Sequence, residues 1–465
     1  KYILVDEFQD TNFIQNKWLN LLVNERQNIC CVGDDDQSIY SWRGAEIKNF
    51  LNFDKIYSDC KVFKLEQNYR STKNILETAS KLISNNSNRV GKKLWSSATQ
   101  GEPVKLNCYK TGKEEAQGIG DIIEHKIKKK YSLNNVSILV RAIYQTREFE
   151  ERFMQVGINY RILGGTKFYE RAEIKDAVSY LRIIYQKYDD LALERVIGSP
   201  KRGVGESTLN QIHLFSKQNK LCLEDSIIKI IEKGEFKPRI KTSLKQLINM
   251  IHKWRKDKIN MKHYDLLKLV LDESGYSTML KNKKDLENEN RLENLKELLR
   301  AMQDYDNLQN FLEHVALATS MDQDWEGAKV NLMTMHAAKG LEFDVVFLPG
   351  WEEGLFPHQK SLEEKGDFAL EEERRLAYVG ITRAKQEAYL SFAMKRAYHG
   401  DWMDALPSRF INEIPEEGIE KNEVNIEKEI DDFEFNQDNA IEYNEEYRSP
   451  GWNRFKKNKS LKWKK

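Results

Sequence analysis

Five short apolar runs, each breaking off into a charged or glycine-bearing loop, constrain this chain more than any other feature. They are Tyr2–Val5, Ile29–Val32, Val136–Val140, Val330–Met335 and Val345–Leu348. Each has the length and the β-branched content of a buried strand. Helical patterns lie between them, as at Asn74–Ile83 and Glu148–Val156. Strand–loop–helix alternation predicts an α/β fold with mostly parallel sheets. In such sheets ligands gather at the carboxyl ends of the strands, so chemistry is expected in the loops that follow these runs.

The chain has 465 residues, more than one ordinary domain of roughly 100–200. From about Ala177 to Ala328 strand-like runs are few, and apolar residues recur at helical spacing, as in Leu244, Leu247, Ile248 and Ile251 or Leu292, Leu295, Leu298 and Leu299. This predicts a helical domain inserted into the α/β body. Past Pro407 the composition shifts: residues 413–448 carry 14 acidic against three basic side chains, and residues 449–465 carry seven basic and no acidic ones. That pattern predicts a solvated, disordered tail with a basic end. The overall net charge of +1 averages this tail against a mildly basic body. No apolar run approaches the roughly 18 residues of a membrane helix. The five cysteines show no metal-ligand spacing, which predicts a reduced, cytoplasmic setting. His213, His252 and His263 sit in helical patterns and read as surface or packing residues.

Three loops carry candidate chemistry. In Ile3-Leu4-Val5-Asp6-Glu7-Phe8-Gln9-Asp10, a strand ends in adjacent carboxylates. Asp6 suits Mg²⁺ held through water and Glu7 a base for the attacking water; from this segment alone a strand followed by a solvated acidic turn is the commoner reading. In Gly33-Asp34-Asp35-Asp36-Gln37-Ser38-Ile39-Tyr40-Ser41-Trp42-Arg43-Gly44-Ala45, Gln37 could sense a γ-phosphate, while Trp42 beside Arg43 fits a base-stacking platform. A Ca²⁺-like acidic loop or a buried tryptophan remains open there. In Glu66-Gln67-Asn68-Tyr69-Arg70-Ser71-Thr72, Arg70 could clamp phosphate and Tyr69 stack on a purine, or Arg70 could cap a helix or pair with Glu66.

Taken together, these segments resemble the ordered motifs of UvrD/Rep/PcrA-type superfamily I DNA helicases. DEFQDTN is similar to the family's Walker B motif, GDDDQSIYSWRGA to its motif III and QNYRS to its motif IV. Thr334–Phe343 (TMHAAKGLEF) resembles motif V, and Glu372–Ala384 (EERRLAYVGITRA) resembles motif VI. The resemblance is collinear from residue 2 to about residue 410. It implies RecA-like P-loop NTPase domains with parallel sheets plus a helical insert: a remnant of the first motor domain over 1–66, the second over 67–165 and 329–412, the insert over 166–328 and the tail over 413–465. It further implies an ATP-dependent 3′→5′ DNA helicase, with ATP and Mg²⁺ as cofactors, working in DNA repair. Its partners would be single-stranded DNA, single/double-strand junctions and repair proteins.

Residue by residue, the resemblance implies that Asp6 binds Mg²⁺ and that Glu7, beside the metal, is the catalytic base. Gln37 and Arg70 would contact the γ-phosphate, Tyr69 the adenine and Glu342 the ribose, and Arg383 would be the arginine finger. His336 would link the nucleotide cleft to the DNA track through Gln37. Trp42, with Tyr40 and Arg43, would meet single-stranded bases. Arg141 would contact DNA phosphate, although a surface ion pair is also open, and the Ala142–Arg147 loop departs from the family's Asn/Ser pattern. Pro200–Ser207 resembles the insert's duplex-binding loop, where Lys201 and Arg202 add charge and Gly203 and Gly205 let backbone amides approach phosphate; a plain helix–helix turn is the other reading. Gly164-Gly165 resembles the family's turn at the edge of the insert. No GxxxxGK[ST] occurs in the sequence. With the start at Lys1-Tyr2-Ile3, this leads to the expectation of a fragment that alone is inactive. Two alternatives stand beside the helicase: a DNA-binding module without catalysis, and the motor of a helicase–nuclease or of a protein-displacing translocase.

Overall fold

The computed structural model describes residues 2–23, 27–57, 59–283, 286–320, 327–398 and 401–422. The chain divides into two compact units. One comprises Lys1–Gly165, Gly327–Arg396 and Trp402–Lys465, the other Thr166–Glu326 and Ala397–Asp401.

The first unit is α/β. Strands β1 (Ile3–Val5) and β2 (Ile29–Cys31) form a two-stranded parallel sheet, and β3 (Gln67–Asn68) and β4 (Trp95–Ser96) form another. The main sheet contains β5 (Val104–Thr111), β6 (Val136–Val140), β7 (Tyr160–Ile162), β8 (Val330–Thr334), β9 (Phe343–Leu348), β10 (Ala384–Tyr398), β11 (Asp401–Asp404) and β12 (Ile419–Asn422). Its order is β12-β5-β10-β9-β6-β8-β7, with β11 paired to β10. Every pairing along that path is parallel.

Strand periodicity explains the two-sided core. Along β6, Val136, Ile138 and Val140 face one apolar cluster and Leu139 faces the other. Helices Gly112–Lys128 and Thr146–Val156 cover the first face through Ile119, Ile123, Phe149 and Phe153. Helices Lys73–Ile83 and Asp367–Ile381 cover the second through Ile75, Leu82, Leu376 and Val379. A sheet buried on both faces is why its strands read as continuous apolar runs.

Two expectations need correction. The runs at Tyr2–Val5 and Ile29–Val32 form strands, but these are not buried: Leu4 is 82% exposed and Val32 54%. Their sheet has two strands and lacks the second covered face of the main sheet. The tail was placed from residue 413, yet Ile419–Asn422 pairs in parallel with β5, extending the sheet by one strand. Its acidic composition hid Ile419, the inward apolar residue that packs against the core. The remainder of the tail lies outside the described residues. Strands β5 and β10 stand outside the five apolar runs: Lys105, Asn107 and Lys110 interrupt β5, and Ser391 interrupts the Ala388–Met394 stretch of β10.

In the second unit, Thr166–Glu326 is helical, from helix Ala172–Tyr185 to helix Leu308–Ser320. Tyr180, Trp254 and Tyr276 are fully buried at its centre, with the Tyr180 and Trp254 rings edge-to-face at 5.9 Å. The Tyr276 hydroxyl donates to Asp176 Oδ2 at 2.8 Å, so the buried aromatic retains a polar partner.

At the carboxyl end of β10, the Arg396 side chain reaches three carboxylates. Its Nε donates to Glu352 Oε2 at 2.9 Å, its Nη1 to Glu148 Oε2 at 3.3 Å, and its Nη2 to Glu115. The Glu115 and Glu352 side chains are 0% and 2% exposed, so neither charge can be left alone cheaply. Arg396→Met is expected to destabilise the chain by about 3–5 kcal/mol in urea unfolding; a change within experimental error would show the network to be dispensable.

Candidate functional site

The loop after β1 folds back on itself. The Glu7 backbone sits at φ 50°, ψ 40°, a left-handed conformation that costs a non-glycine residue of order 1–3 kcal/mol. It is held there from two sides: Glu7 N donates to Asp6 Oδ1 at 2.8 Å, and Gln9 Nε2 donates to Glu7 Oε2 at 2.5 Å. Gln9 is fully buried, and its Oε1 accepts from Asp34 N at 3.0 Å, tying this loop to the one after β2. In that second loop Gln37 Nε2 donates to Asp34 Oδ2 at 2.8 Å. Asp34, Asp35 and Asp36 stand close enough to suggest a cation site, but the chain supplies its own cations. Arg89 grips both oxygens of Asp36 at 3.0 and 2.6 Å, and Lys92 pairs with Asp34.

A third loop, following β8, completes the cluster. Lys339 Nζ donates to Asp10 Oδ2 at 2.5 Å and to the Gln37 carbonyl at 2.8 Å, and lies 3.3 Å from Glu7 Oε2. Burial pushes the Asp10 carboxyl up while Lys339 pulls it back down. Thus Glu7 and Asp10, the Gln37 loop and the Thr334–Phe343 segment meet at one ammonium group.

Arg70, Glu342 and Arg383 gather at a second point. Arg70 Nε donates to Glu342 Oε2 at 2.9 Å, and its Nη1 to the Thr382 carbonyl at 3.4 Å. Lys385 Nζ reaches Glu342 Oε1 at 2.7 Å. Hydrogen bonds from Lys385 and Arg70 push the Glu342 carboxyl down to about 2. Arg383 is 1% exposed. Its guanidinium donates to the carbonyls of Val379 and Leu341 and to Thr382 Oγ1, none of them a carboxylate. Burial and the nearby Arg70 push it down to about 10. A buried cation without an anionic partner is suited to receive one. Tyr69 stands 81% exposed beside this group, its hydroxyl donating to Gln67 Oε1 at 2.7 Å.

A third grouping is aromatic. Trp42 is 46% exposed, with the Arg43 guanidinium 4.6 Å from its ring centroid and the His336 ring edge-on at 6.3 Å. The Tyr40 hydroxyl donates to the His336 carbonyl at 3.1 Å. Burial, together with the charge of Arg141, pushes the His336 imidazole down to about 3. Arg141 itself is engaged by Glu373, at 2.9 Å from Nε and 2.6 Å from Nη2.

With this geometry in view, the comparisons are decisive on family. The profile described as UvrD-like helicase C-terminal domain matches residues 63–395, and that described as UvrD/REP helicase N-terminal domain matches residues 1–58. The chain belongs to the UvrD-like helicase family. It is 47% identical over 420 residues to the DNA helicase II of Rickettsia typhi, which covers 90% of this chain and 64% of that protein. It is 42% identical over 430 residues to the DNA helicase II of Escherichia coli (strain K12), with 90% and 59% covered. The ATP-dependent DNA helicase PcrA of Staphylococcus epidermidis is 41% identical over 432 residues, with 91% and 59% covered. The chain therefore spans about three-fifths of the length of these relatives.

The sequence-derived candidates fall into three groups. Asp6, Glu7 and Gln37 come together, as do Arg70, Glu342 and Arg383 with Tyr69 at their edge, and Tyr40, Trp42, Arg43 and His336. The contact to Gln37 is made by Lys339, while His336 lies against Tyr40 and Trp42. Arg141 forms an ion pair with Glu373, but a largely buried one and not the surface pair that the sequence left open, the two side chains being 16% and 6% exposed. In the helical unit, Arg202 points inward: it donates to the carbonyls of Val196 and Pro200 and, at 2.9 Å, to the Tyr180 hydroxyl. Lys201 stays exposed, Gly203 takes φ 75°, and Gly205 precedes helix Glu206–Asn219 as its N-cap. Gln9 and Lys339 went unassigned although both lie inside quoted motifs, since nothing along the chain shows which side chains of a loop turn inward.

The His336 shift has a definite consequence. An imidazole held at about 3 in the folded chain, against about 6.5 unfolded, is protonated more readily when unfolded. Its contribution to stability is complete above about pH 6.5 and declines as pH falls toward about 3. The His336 imidazole resonance is expected to stay flat in an NMR titration from about pH 7.5 to about pH 5; a midpoint near 6.5 would refute this environment.

Proposed function

We propose that this chain is part of an ATP-dependent DNA helicase motor, moving 3′→5′ along single-stranded DNA, opening duplex ahead of it and serving DNA repair. The observation that carries the reading is Lys339, whose ammonium joins the Glu7 and Gln37 loops to the segment after β8. In this reading Glu7, whose Oε2 is held by Gln9 beside Lys339, takes the proton of the attacking water. Gln37 orients that water against the γ-phosphate. Asp6 presents an exposed hard oxygen donor, which fits Mg²⁺ held through water. That ion supplies charge neutralisation to the phosphates when bound.

Arg70 and Arg383 supply positive charge for the transferring phosphoryl group. Arg383 is already desolvated, so its field acts with little screening. Glu342, ionised by Arg70 and Lys385, accepts from a ribose hydroxyl, and Tyr69 offers an open ring face to adenine. Trp42, backed by Arg43, stacks on bases of the single strand. A phosphate gained or lost beside Glu7 and Gln37 would alter the contacts of Lys339, whose Nζ lies 5.3 Å from the Tyr40 ring centroid and so borders the Trp42 turn.

Trp42→Ala is expected to weaken binding of an oligothymidylate by about 1–3 kcal/mol in fluorescence anisotropy. An unchanged affinity would refute stacking. In a protein extended to the length of its relatives, Glu7→Gln should abolish DNA-stimulated ATP hydrolysis while sparing nucleotide binding. Normal turnover in that variant would refute the base assignment. A parent protein that binds DNA but hydrolyses nothing would be a binding module instead.

A further inference from the structure

We propose that Glu372 is a positioning residue for the Trp42 platform: by holding the amide and hydroxyl of Ser41, its carboxylate sets the orientation of the neighbouring indole. The proposal rests on the reading of Trp42 as a base-stacking surface, and it adds a residue that this reading does not otherwise use.

Ser41–Arg43 is a single 3₁₀ turn, and such a turn leaves its first N–H groups without partners inside it. The preceding residue, Tyr40, provides no side-chain cap. Glu372 fills the gap: Oε1 accepts from Ser41 N at 2.9 Å, and Oε2 accepts from the Ser41 hydroxyl. Two charge-assisted hydrogen bonds on one residue fix both its backbone and its side chain. Lys365 Nζ also donates to the Ser41 hydroxyl, at 3.3 Å, and is the cation facing this contact.

The turn closes on its own backbone, Arg43 N donating to the Tyr40 carbonyl at 2.9 Å and Gly44 N to the Ser41 carbonyl at 3.0 Å, and further contacts hold its two ends. On one side the Tyr40 hydroxyl is bound to the His336 carbonyl. On the other, Gly44 takes φ 86° and Ala45 N returns to the Tyr40 carbonyl at 3.1 Å. Between these points lie the half-exposed Trp42 and the Arg43 stacked on it, neither with a hydrogen bond through its side chain among those described. Among the described residues, the Glu372 contact is the main side-chain restraint from outside the turn on the residue next to the indole.

Glu372 itself is well anchored. Its neighbours on helix Asp367–Ile381 are pinned elsewhere: Glu373 by Arg141, and Arg374 by Glu413 and Asn86. A rigid support of this kind is what a stacking surface needs, because a base gains from a ring face only if the ring is already in place.

The test uses the full 465-residue chain, a fluorescein-labelled oligothymidylate, and acrylamide quenching of Trp42 taken as the difference between the chain and its Trp42→Phe variant. Glu372→Ala is expected to weaken oligothymidylate binding about ten-fold and to raise Trp42 quenching. Glu372→Gln, which keeps one acceptor for Ser41 N, should recover part of both. In a Trp42→Ala background, Glu372→Ala should cost less than about two-fold more, because its effect runs through the missing indole. Ser41→Ala, a milder change, should move quenching in the same direction should Glu372→Ala fail to fold. Full additivity with Trp42→Ala, or unchanged quenching in Glu372→Ala and Ser41→Ala, would overturn the proposal while leaving the stacking reading intact. A Trp42→Ala chain that binds as tightly as the parent would overturn the stacking reading and this proposal together.

Discussion

Five consecutive charged residues, Glu371 to Arg375, lie partly or fully buried on helix Asp367–Ile381, and each needs a partner to stay there. Glu371 accepts from Ser87 and Arg375, Glu372 from Ser41, and Glu373 from Arg141 and the His358 amide. Arg374 donates to Glu413 and Asn86. These partners come from segments far apart in the chain, so satisfying the charges fixes where those segments sit. The following turns of the same helix bury Leu376, Val379 and Ile381 in the core. Apolar burial supplies the driving force, and the charges allow only one docking geometry.

This helix also relates two parts of the site. Its N-terminal half holds the Trp42 turn and Arg141, and Arg383 follows its C-terminal end. The guanidinium of Arg383 is bound to Val379 and Leu341 carbonyls, so its position follows that of the helix and of the loop after β8. That loop carries His336 against Trp42 and Lys339 against the Glu7 and Gln37 loops. The Arg383 pocket and the Trp42 turn, built on the same helix and the same loop, cannot rearrange independently.

Charge is handled differently at the two centres. Around Glu342 it lies at the surface, and the carboxylate is held ionised by two cations. At Arg383 it is buried with only carbonyl and hydroxyl partners. Such an arrangement is costly in isolation and is favourable where an anion joins it. At Asp34–Asp36 the charge is already matched by Arg89 and Lys92, which makes that acidic run a structural brace between two loops.

Much of this was legible along the chain. Apolar runs at Val136–Val140, Val330–Met335 and Val345–Leu348 marked strands buried on both faces, because a doubly covered strand has no polar side to show. The loops that follow held the motifs, since parallel strands bring their carboxyl ends to one edge. The long β10 does not read as an apolar run along its length, because its charged residues answer to Glu387–Lys126 and Arg396–Glu352 pairs formed only on folding. Residue type and spacing determined which side chains could do chemistry: Asp6, Glu7, Gln37, Arg70, Trp42 and Arg383. Tertiary structure alone decided which of them meet. Lys339 at the acidic pair, Glu373 on Arg141 and Glu372 under Ser41 are contacts between residues hundreds of positions apart, and no local pattern encodes which buried charge will find which partner.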